Sequence, residues 1–239
     1  MTKRVLVVGG SEAFTGAVYL AGIAALRSGA ESVIVMAPEK VAWALNALSP
    51  DLITRKLKGR HLSPKHATAI KKQLRTADVL VLGNGATTTS GTALLMRSLC
   101  EWPGLKVIDA DALKALRGNA VHNAILTPNE GEWELLQRHT NIHRLLANGN
   151  VMIKKGDPTR ILSAKRNFRQ PHTNRGLDKA GTGDVLAGLC AGYLAQGLSL
   201  WGAAKKAVVT GNTIADILTK KKKGYFFLAS DIVEELRNV

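Results

Sequence analysis

Residues 4–8 read Arg-Val-Leu-Val-Val, in which an unbroken apolar run from Val5 stops at Gly9-Gly10. A strand half-exposed to water alternates apolar and polar residues. A run without alternation belongs to a strand buried on both faces, as in a parallel sheet with helices on either side. The pattern recurs at Ser32–Met36, Asp78–Leu82, Lys106–Asp109 and Ala124–Thr127, with a helix predicted over Thr15–Arg27 and stopped by Gly29. Strand, glycine turn, helix and strand again imply parallel pairing through right-handed crossovers. The chain is therefore expected to be one α/β domain over residues 1–239. Pro38 is expected to precede a helix through Leu48, and a further helix is predicted over Lys65–Arg75. Asp51–Leu57 fits an edge strand or an irregular link. Val151–Lys154 and Thr159–Ser163 flank the turn Lys155–Pro158 and predict a hairpin at one rim of the sheet. Helices are predicted over Leu200–Leu218 and, capped by Ala229–Asp231, over Ile232–Leu236.

Composition narrows the partners. Hydrophobic residues make up 46% and aromatics 5%, with 23 glycines, which suits helices packed tightly on a sheet. Lys and Arg outnumber Asp and Glu by 33 to 18, a net charge of +15 that raises nucleic acid, membrane surface or small anions as partners. The cations are scattered except for Lys220–Lys223, expected to be a solvated helix end, and no zinc-finger or aromatic RNA-binding motif accompanies them. Anionic small molecules are the expected partners, with no specific nucleic acid. Cys100 and Cys190 sit in apolar contexts without metal-ligand spacing, so free buried thiols and a reducing, cytoplasmic compartment are expected. Val5–Gly10 is too short an apolar run for a signal peptide, and no window suits a membrane span. His139 and His143, the one histidine pair at i, i+4, are expected on a solvated face.

The chemistry concentrates in Gly181-Thr-Gly-Asp184, which runs into an apolar helix through Gln196. Glycines let backbone N–H groups approach a phosphate, and the first helical turn adds unpaired N–H donors and positive dipole charge. Asp184 would lie beside that anion, an unusual place for a carboxylate unless it handles a proton; the plain alternative is a helix N-cap. Ala187, Gly188, Ala191, Gly192 and Ala195 form a small-residue ridge expected to pack closely on the sheet. The hydroxyl-rich loop Gly83–Gly91 suits phosphate or ribose contacts, or simply a turn and cap. Asn129-Glu-Gly-Glu132, after Pro128, complements a helix dipole. Gly9-Gly10 lacks the full G-x-G-x-x-G pattern, and no acidic residue closes the second strand, so a dinucleotide fingerprint is rejected.

Seven motifs in register resemble one family of the ribokinase-like superfamily, the ADP- or ATP-dependent NAD(P)H-hydrate dehydratases. They are Phe14–Ala17, Gly83–Gly85, Val107–Leu113, Leu126–Glu132, Lys155–Thr159, Gly181–Gly188 and Ala229–Asp231, spread collinearly between about residues 3 and 236. The resemblance implies a three-layer α/β/α sandwich around a mostly parallel sheet. It implies that Ala17, Gly85, Asn129 and Asp184 line a pocket for hydrated NADH or NADPH. It further implies that Lys155, Gly156, Asp157, Pro158, Thr159, Gly181, Thr182 and Gly183 contact ADP or ATP, with Mg2+ between the phosphates and Glu132 reaching it through water. A homo-oligomer, a tetramer among the candidates, is expected. Two positions depart from the family: Asn129 stands where His is common, and Ala180 where Gly is common. Asn keeps hydrogen bonds but does not titrate near neutrality, which puts acid-base work at 129 in doubt. Members are often fused to an epimerase domain, and none is expected within this chain. Asn129 and Glu132 also match the N-x-x-E spacing of superfamily kinases near magnesium. A hydroxymethylpyrimidine- or thiazole-type kinase is therefore the alternative, and a regulator that binds nucleotide without turnover is a third reading.

Overall fold

The computed structural model describes residues 3–222 and 224–238; Met1, Thr2, Val239 and Lys223 of the basic run lie outside the described residues. Its strands are β1 (Arg4–Val8), β2 (Ser32–Pro38), β3 (Ile53–Leu57), β4 (Val79–Leu82), β5 (Leu105–Ile108), β6 (Ala124–Leu126), β7 (Val151–Lys154), β8 (Arg160–Leu162) and β9 (Asn167–Arg169). They form one sheet in the order β3-β2-β1-β4-β5-β6-β7-β8-β9. The pairs from β3 through β7 are parallel, whereas β8 and β9 run antiparallel.

Helices cover both faces, which is why β1 has no polar side. Val5 and Val7 enter a core shared with α1 (Thr15–Arg27), α2 (Glu39–Leu48), α8 (Thr182–Ala195), α9 (Leu200–Lys221) and α10 (Ala229–Glu235). Leu6 and Val8 enter the opposite core, shared with α3 (Ala67–Leu74), α4 (Ser90–Cys100), α5 (Ala110–Ala115), α6 (Glu130–His139) and α7 (Ile142–Ala147). The expected three-layer α/β/α sandwich is the fold observed. Chain direction across the sheet reverses between β1 and β4, and ligands of such sheets bind outside the carboxyl ends of the strands at that switch. Gly9 explains itself there: a Cβ on it would lie 2.4 Å from the carbonyl oxygen of Asn84. Close approach of two strand ends, rather than dinucleotide binding, requires this glycine.

Several local expectations are corrected. Asp51–Leu57 needs no correction, since Ile53–Leu57 forms the edge strand β3, one of the two forms expected. The small-residue ridge of α8 packs on α1: a Cβ on Gly188 would sit 2.3 Å from the carbonyl oxygen of Ala21. Two helices that touch backbone to backbone need small residues more than a sheet surface does. The last helix begins at Ala229, not Ile232, and Asp231 caps it from inside, accepting the Leu228 N–H at 2.6 Å. The basic run is not merely solvated, since Lys221 pairs with Glu235 at 2.6 Å and Lys222 with Asp231 at 3.1 Å, tying α9 to α10. Cys100 and Cys190 are buried free thiols, as expected, and His139 and His143 are exposed. Among the described residues no helix is long and apolar enough to cross a membrane.

Candidate active site

The carboxyl ends of β4, β5, β6 and β7 carry Asn84, Asp109, Thr127 and Lys155, and these side chains meet. Asp109 is 2% exposed and holds three partners: Thr127 Oγ1 donates to its Oδ1 at 2.6 Å, Lys155 Nζ to the same oxygen at 3.1 Å, and Asn84 Nδ2 to Oδ2 at 3.0 Å. The other N–H of the Asn84 amide reaches across to α8 and donates to Asp184 Oδ1 at 2.7 Å. One carboxamide thus bridges two carboxylates. Its orientation is fixed, because the reverse one would set a carbonyl against both anions. Ala110, directly after Asp109, adopts φ +49°, a left-handed conformation costly for a residue with a Cβ and held here by the packed strand-to-helix corner.

Asp184 is the third residue of α8 and does not cap it. The N-cap position belongs to Gly181, whose φ of +88° suits glycine, and no side chain bonds there. The carboxylate is free for chemistry, and burial first, then the neighbouring Asp109 charge, push it up to about 6 against the hydrogen bond from Asn84 and the attraction of Lys155. Burial alone would lower Lys155; the charges of Asp109 and Glu132 outweigh this and leave it raised. Its ammonium stands 3.2 Å from where a Cβ on Gly183 would be, so it overlooks the Gly181–Gly183 turn.

Asn129 and Glu132 serve each other: Asn129 Oδ1 accepts the Glu132 N–H at 2.9 Å, and Glu132 Oε2 accepts the Asn129 N–H at 3.0 Å, a reciprocal cap on α6. Glu132 Oε2 is also 3.8 Å from Lys155 Nζ. Burial raises the Glu132 carboxyl above its usual range.

An open pocket of about 470 Å³ gathers Asn129, Glu132, Lys155, Gly156, Gly181, Thr182, Gly183 and Asp184, with Asp109 at its floor. An adjoining smaller cavity is lined by Thr159, Val185, Leu189, Val208 and Ile232, together with Gly156 and Gly183. Ala17 and Gly85 touch each other on the far side of Asn84, where a Cβ on Gly85 would be 2.9 Å from that of Ala17. Asp157 and Pro158 complete the β7–β8 turn without lining either space. Asn84, Asp109 and Thr127 are site residues that sequence reasoning did not single out. Asp109 and Thr127 directly follow an apolar parallel strand and Asn84 stands one glycine beyond one, and that was the available signal. Among the described residues no group of three or more His, Cys, Asp or Glu side chains is arranged to hold a metal ion.

A family model described as NAD(P)H-hydrate dehydratase matches residues 5–238. A bifunctional NAD(P)H-hydrate repair enzyme of Pyrobaculum aerophilum is 34% identical over 252 residues, which cover 99% of this chain and 50% of the relative. The ADP-dependent (S)-NAD(P)H-hydrate dehydratase of Cenarchaeum symbiosum is 31% identical, covering 99% of this chain and 88% of that protein. The chain spans about half the length of most of these curated relatives. Among solved structures, a ribokinase-like superfamily protein of Enterococcus faecalis superposes with a TM-score of 0.84 at 23% identity, covering 98% and 85% of the two chains. The ADP/ATP-dependent NAD(P)H-hydrate dehydratase of Bacillus subtilis, co-crystallised with ATP and Mg2+, gives 0.75 at 22%, covering 98% and 88%. With its fold ribokinase-like and nearly its whole length matched, the chain belongs to the NAD(P)H-hydrate dehydratase family.

Proposed function

We propose that this domain converts the 6-hydroxylated (S)-form of NADH or NADPH back to the reduced cofactor, with ADP or ATP as phosphoryl donor. The observation that carries the reading is Asp184: a carboxylate gripped at one oxygen by Asn84, set in the first turn of α8 beside Gly181–Gly183, and elevated toward neutrality.

Water added across the C5–C6 bond leaves a hydroxyl on C6, and hydroxide leaves poorly. Asp184 Oδ2, which accepts no hydrogen bond from the described residues, takes the hydroxyl proton while the oxygen attacks the terminal phosphoryl group held over Gly181–Gly183. The bond to the nucleotide breaks, leaving AMP from ADP or ADP from ATP. The C6–O bond then breaks with its electron pair going to phosphate, assisted by the ring nitrogen lone pair, and loss of the C5 proton to the departing phosphate restores the double bond. Ala17, Gly85 and Asn129 would flank the hydrated ring. Lys155 would neutralise phosphate charge, and the apolar cavity behind Gly183 suits the adenine. The side chains offer no closed metal cage, but Glu130, Glu132 and Asp178 line the pocket beside Asp109 and Asp184, acidic surroundings that fit magnesium brought in on phosphates and keeping its waters. Glu132 would reach it through water, and it would supply charge neutralisation between the phosphates.

Cytoplasmic residence is supported by two buried free thiols. Self-association is supported by the exposed Phe14, Trp43, Leu48 and Leu94, and sizing by light scattering tests it. The decisive assay supplies NADH hydrate, magnesium and either ADP or ATP, and follows the absorbance of restored NADH. Comparing the two nucleotides selects the donor. No signal with either, together with phosphorylation of a pyrimidine or thiazole alcohol, would establish the kinase instead.

A further inference from the structure

Asn84 has three features that a loop residue behind a strand does not need. It is fully buried, its amide nitrogen divides its two hydrogens between Asp184 at 2.7 Å and Asp109 at 3.0 Å, and its carbonyl oxygen has no partner among the described residues. A buried amide oxygen without a hydrogen bond is unfavourable, so the orientation persists only because both N–H bonds end on carboxylates. Asp109 is itself immobilised by Thr127 and Lys155, so the chain from Lys155 through Asp109 and Asn84 to Asp184 is a rigid bracket ending on the base.

We propose that Asn84 is the positioning residue of the reaction: its amide holds Asp184 Oδ1, keeps Asp109 and Asp184 from repelling each other apart, and leaves Oδ2 as the lone acceptor aimed at the substrate hydroxyl. The proposal rests on the reading of Asp184 as the base. The groups facing Asp184 are Asn84 from the end of β4, Asp109 and Asp111 from the β5–α5 corner, and Lys155 from the β7–β8 turn, with Glu132 of α6 behind Lys155. Of these, Asn84 and Lys155 favour the ionised form and the two aspartates oppose it.

The test replaces Asn84 by Ala and by Ser, the second retaining a hydroxyl donor and standing in if Asn84→Ala does not fold. Thermal melting and nucleotide binding verify the fold. The expected result for Asn84→Ala is a kcat lower by about tenfold to a hundredfold with nucleotide KM changed less than about twofold. Removing a donor to the carboxylate disfavours its charge, so the acid limb of kcat/KM moves to higher pH. Asn84→Ser is expected to fall between Asn84→Ala and the native chain. A second readout, independent of catalysis, is the carboxyl 13C titration of Asp184 in aspartate-labelled protein, assigned by its loss in Asp184→Asn; its midpoint is expected to rise in both Asn84 variants. An acid limb and a 13C midpoint unchanged in the folded variants would overturn the proposal. A native chain that leaves NADH hydrate untouched would sink the functional reading, while the 13C titration would still decide whether Asn84 governs Asp184.

Discussion

At the strand-end side of the pocket, Asn84, Asp109, Thr127 and Asp184 form a largely buried network in which every side-chain polar atom but Asn84 Oδ1 and Asp184 Oδ2 is bonded to another side chain. At the loop side, Gly181, Gly183 and Gly156 present backbone with no side chain in the way, and only Lys155 reaches between the two. The difference follows from what each half would handle. Moving a proton needs one oxygen fixed in direction and tuned in basicity, which takes several rigid partners. Holding a phosphate needs several donors around a sphere, which bare backbone and a helix N-terminus supply without tuning. Changes on the first side are therefore expected to act on turnover, and changes on the second on nucleotide affinity.

The largest effect is expected from Asp184→Asn. Turnover should fall on the order of a hundredfold or more, while nucleotide binding by calorimetry stays or tightens slightly as a negative charge leaves the phosphates. The carboxyl is raised in the folded state, so it contributes stability that is full below its ordinary value of 3.8 and is lost as pH rises through about 6. The Asn variant should thus melt higher than the native chain at pH 7, by on the order of 1–2 kcal/mol, and lose that advantage near pH 4. Near-normal turnover in the folded variant would remove Asp184 from the mechanism.

Gly181→Ala attacks the other half. A Cβ there would lie 2.7 Å from Leu20 Cδ1 and 2.9 Å from the Cβ of Ala229, at a backbone φ of +88°. Stability should drop by about 1–3 kcal/mol, and nucleotide KM should rise about tenfold with kcat at saturation much less affected. Equal losses in kcat and affinity would break the separation drawn between the two sides. Lys155→Met tests the link between them. It is expected to raise nucleotide KM roughly fivefold and also to shift the acid limb of kcat/KM upward, because the ammonium favours ionised Asp184. An unmoved acid limb would show the two sides to be electrostatically independent.

The same contrast explains what was legible in the chain. The loop side could be read directly, since Gly181-Thr-Gly-Asp184 and Lys155–Thr159 are contiguous and each carries its chemistry in one turn. The bracket was not legible, because Asn84, Asp109 and Thr127 come from three strand ends and meet only through parallel register, which places Leu82 beside Ile108 and Ile108 beside Leu126. Asn84 is flanked by two glycines that drew attention to the backbone and away from the amide between them. In the fold, the apolar runs ending on glycine or proline located the central strands. The three-residue β9, Asn-Phe-Arg on the sheet margin, and the six-residue α7 are too short for a period to show. Asp184 looked like a possible cap because sequence cannot distinguish the residue before a helix from the third one in it; the left-handed Gly181 settles the boundary.

The smallest effect on catalysis is expected at Lys106, which sharpens the comparison by supplying a buried charge outside any network. It lies on β5, the strand that leads into Asp109, is 0% exposed, and donates to the carbonyl oxygen of His122 with no carboxylate partner among the described residues. Burial lowers it from 10.5 to about 8. A lowered value in the folded state means that stability from this group is present above about pH 10.5 and is lost as pH falls through 8, so at neutral pH the charged amine costs stability. Lys106→Met fills a similar volume without the charge. It should therefore raise stability at pH 7 by on the order of 1–2 kcal/mol, an advantage that shrinks between pH 8 and 10.5, with kcat, nucleotide KM and the acid limb unchanged. Denaturant melts across that pH range check the first part and the NADH-hydrate assay the second. Loss of turnover in the folded variant would mean that strand β5 transmits its packing to Asp109, and that the bracket around the base extends the full length of the strand.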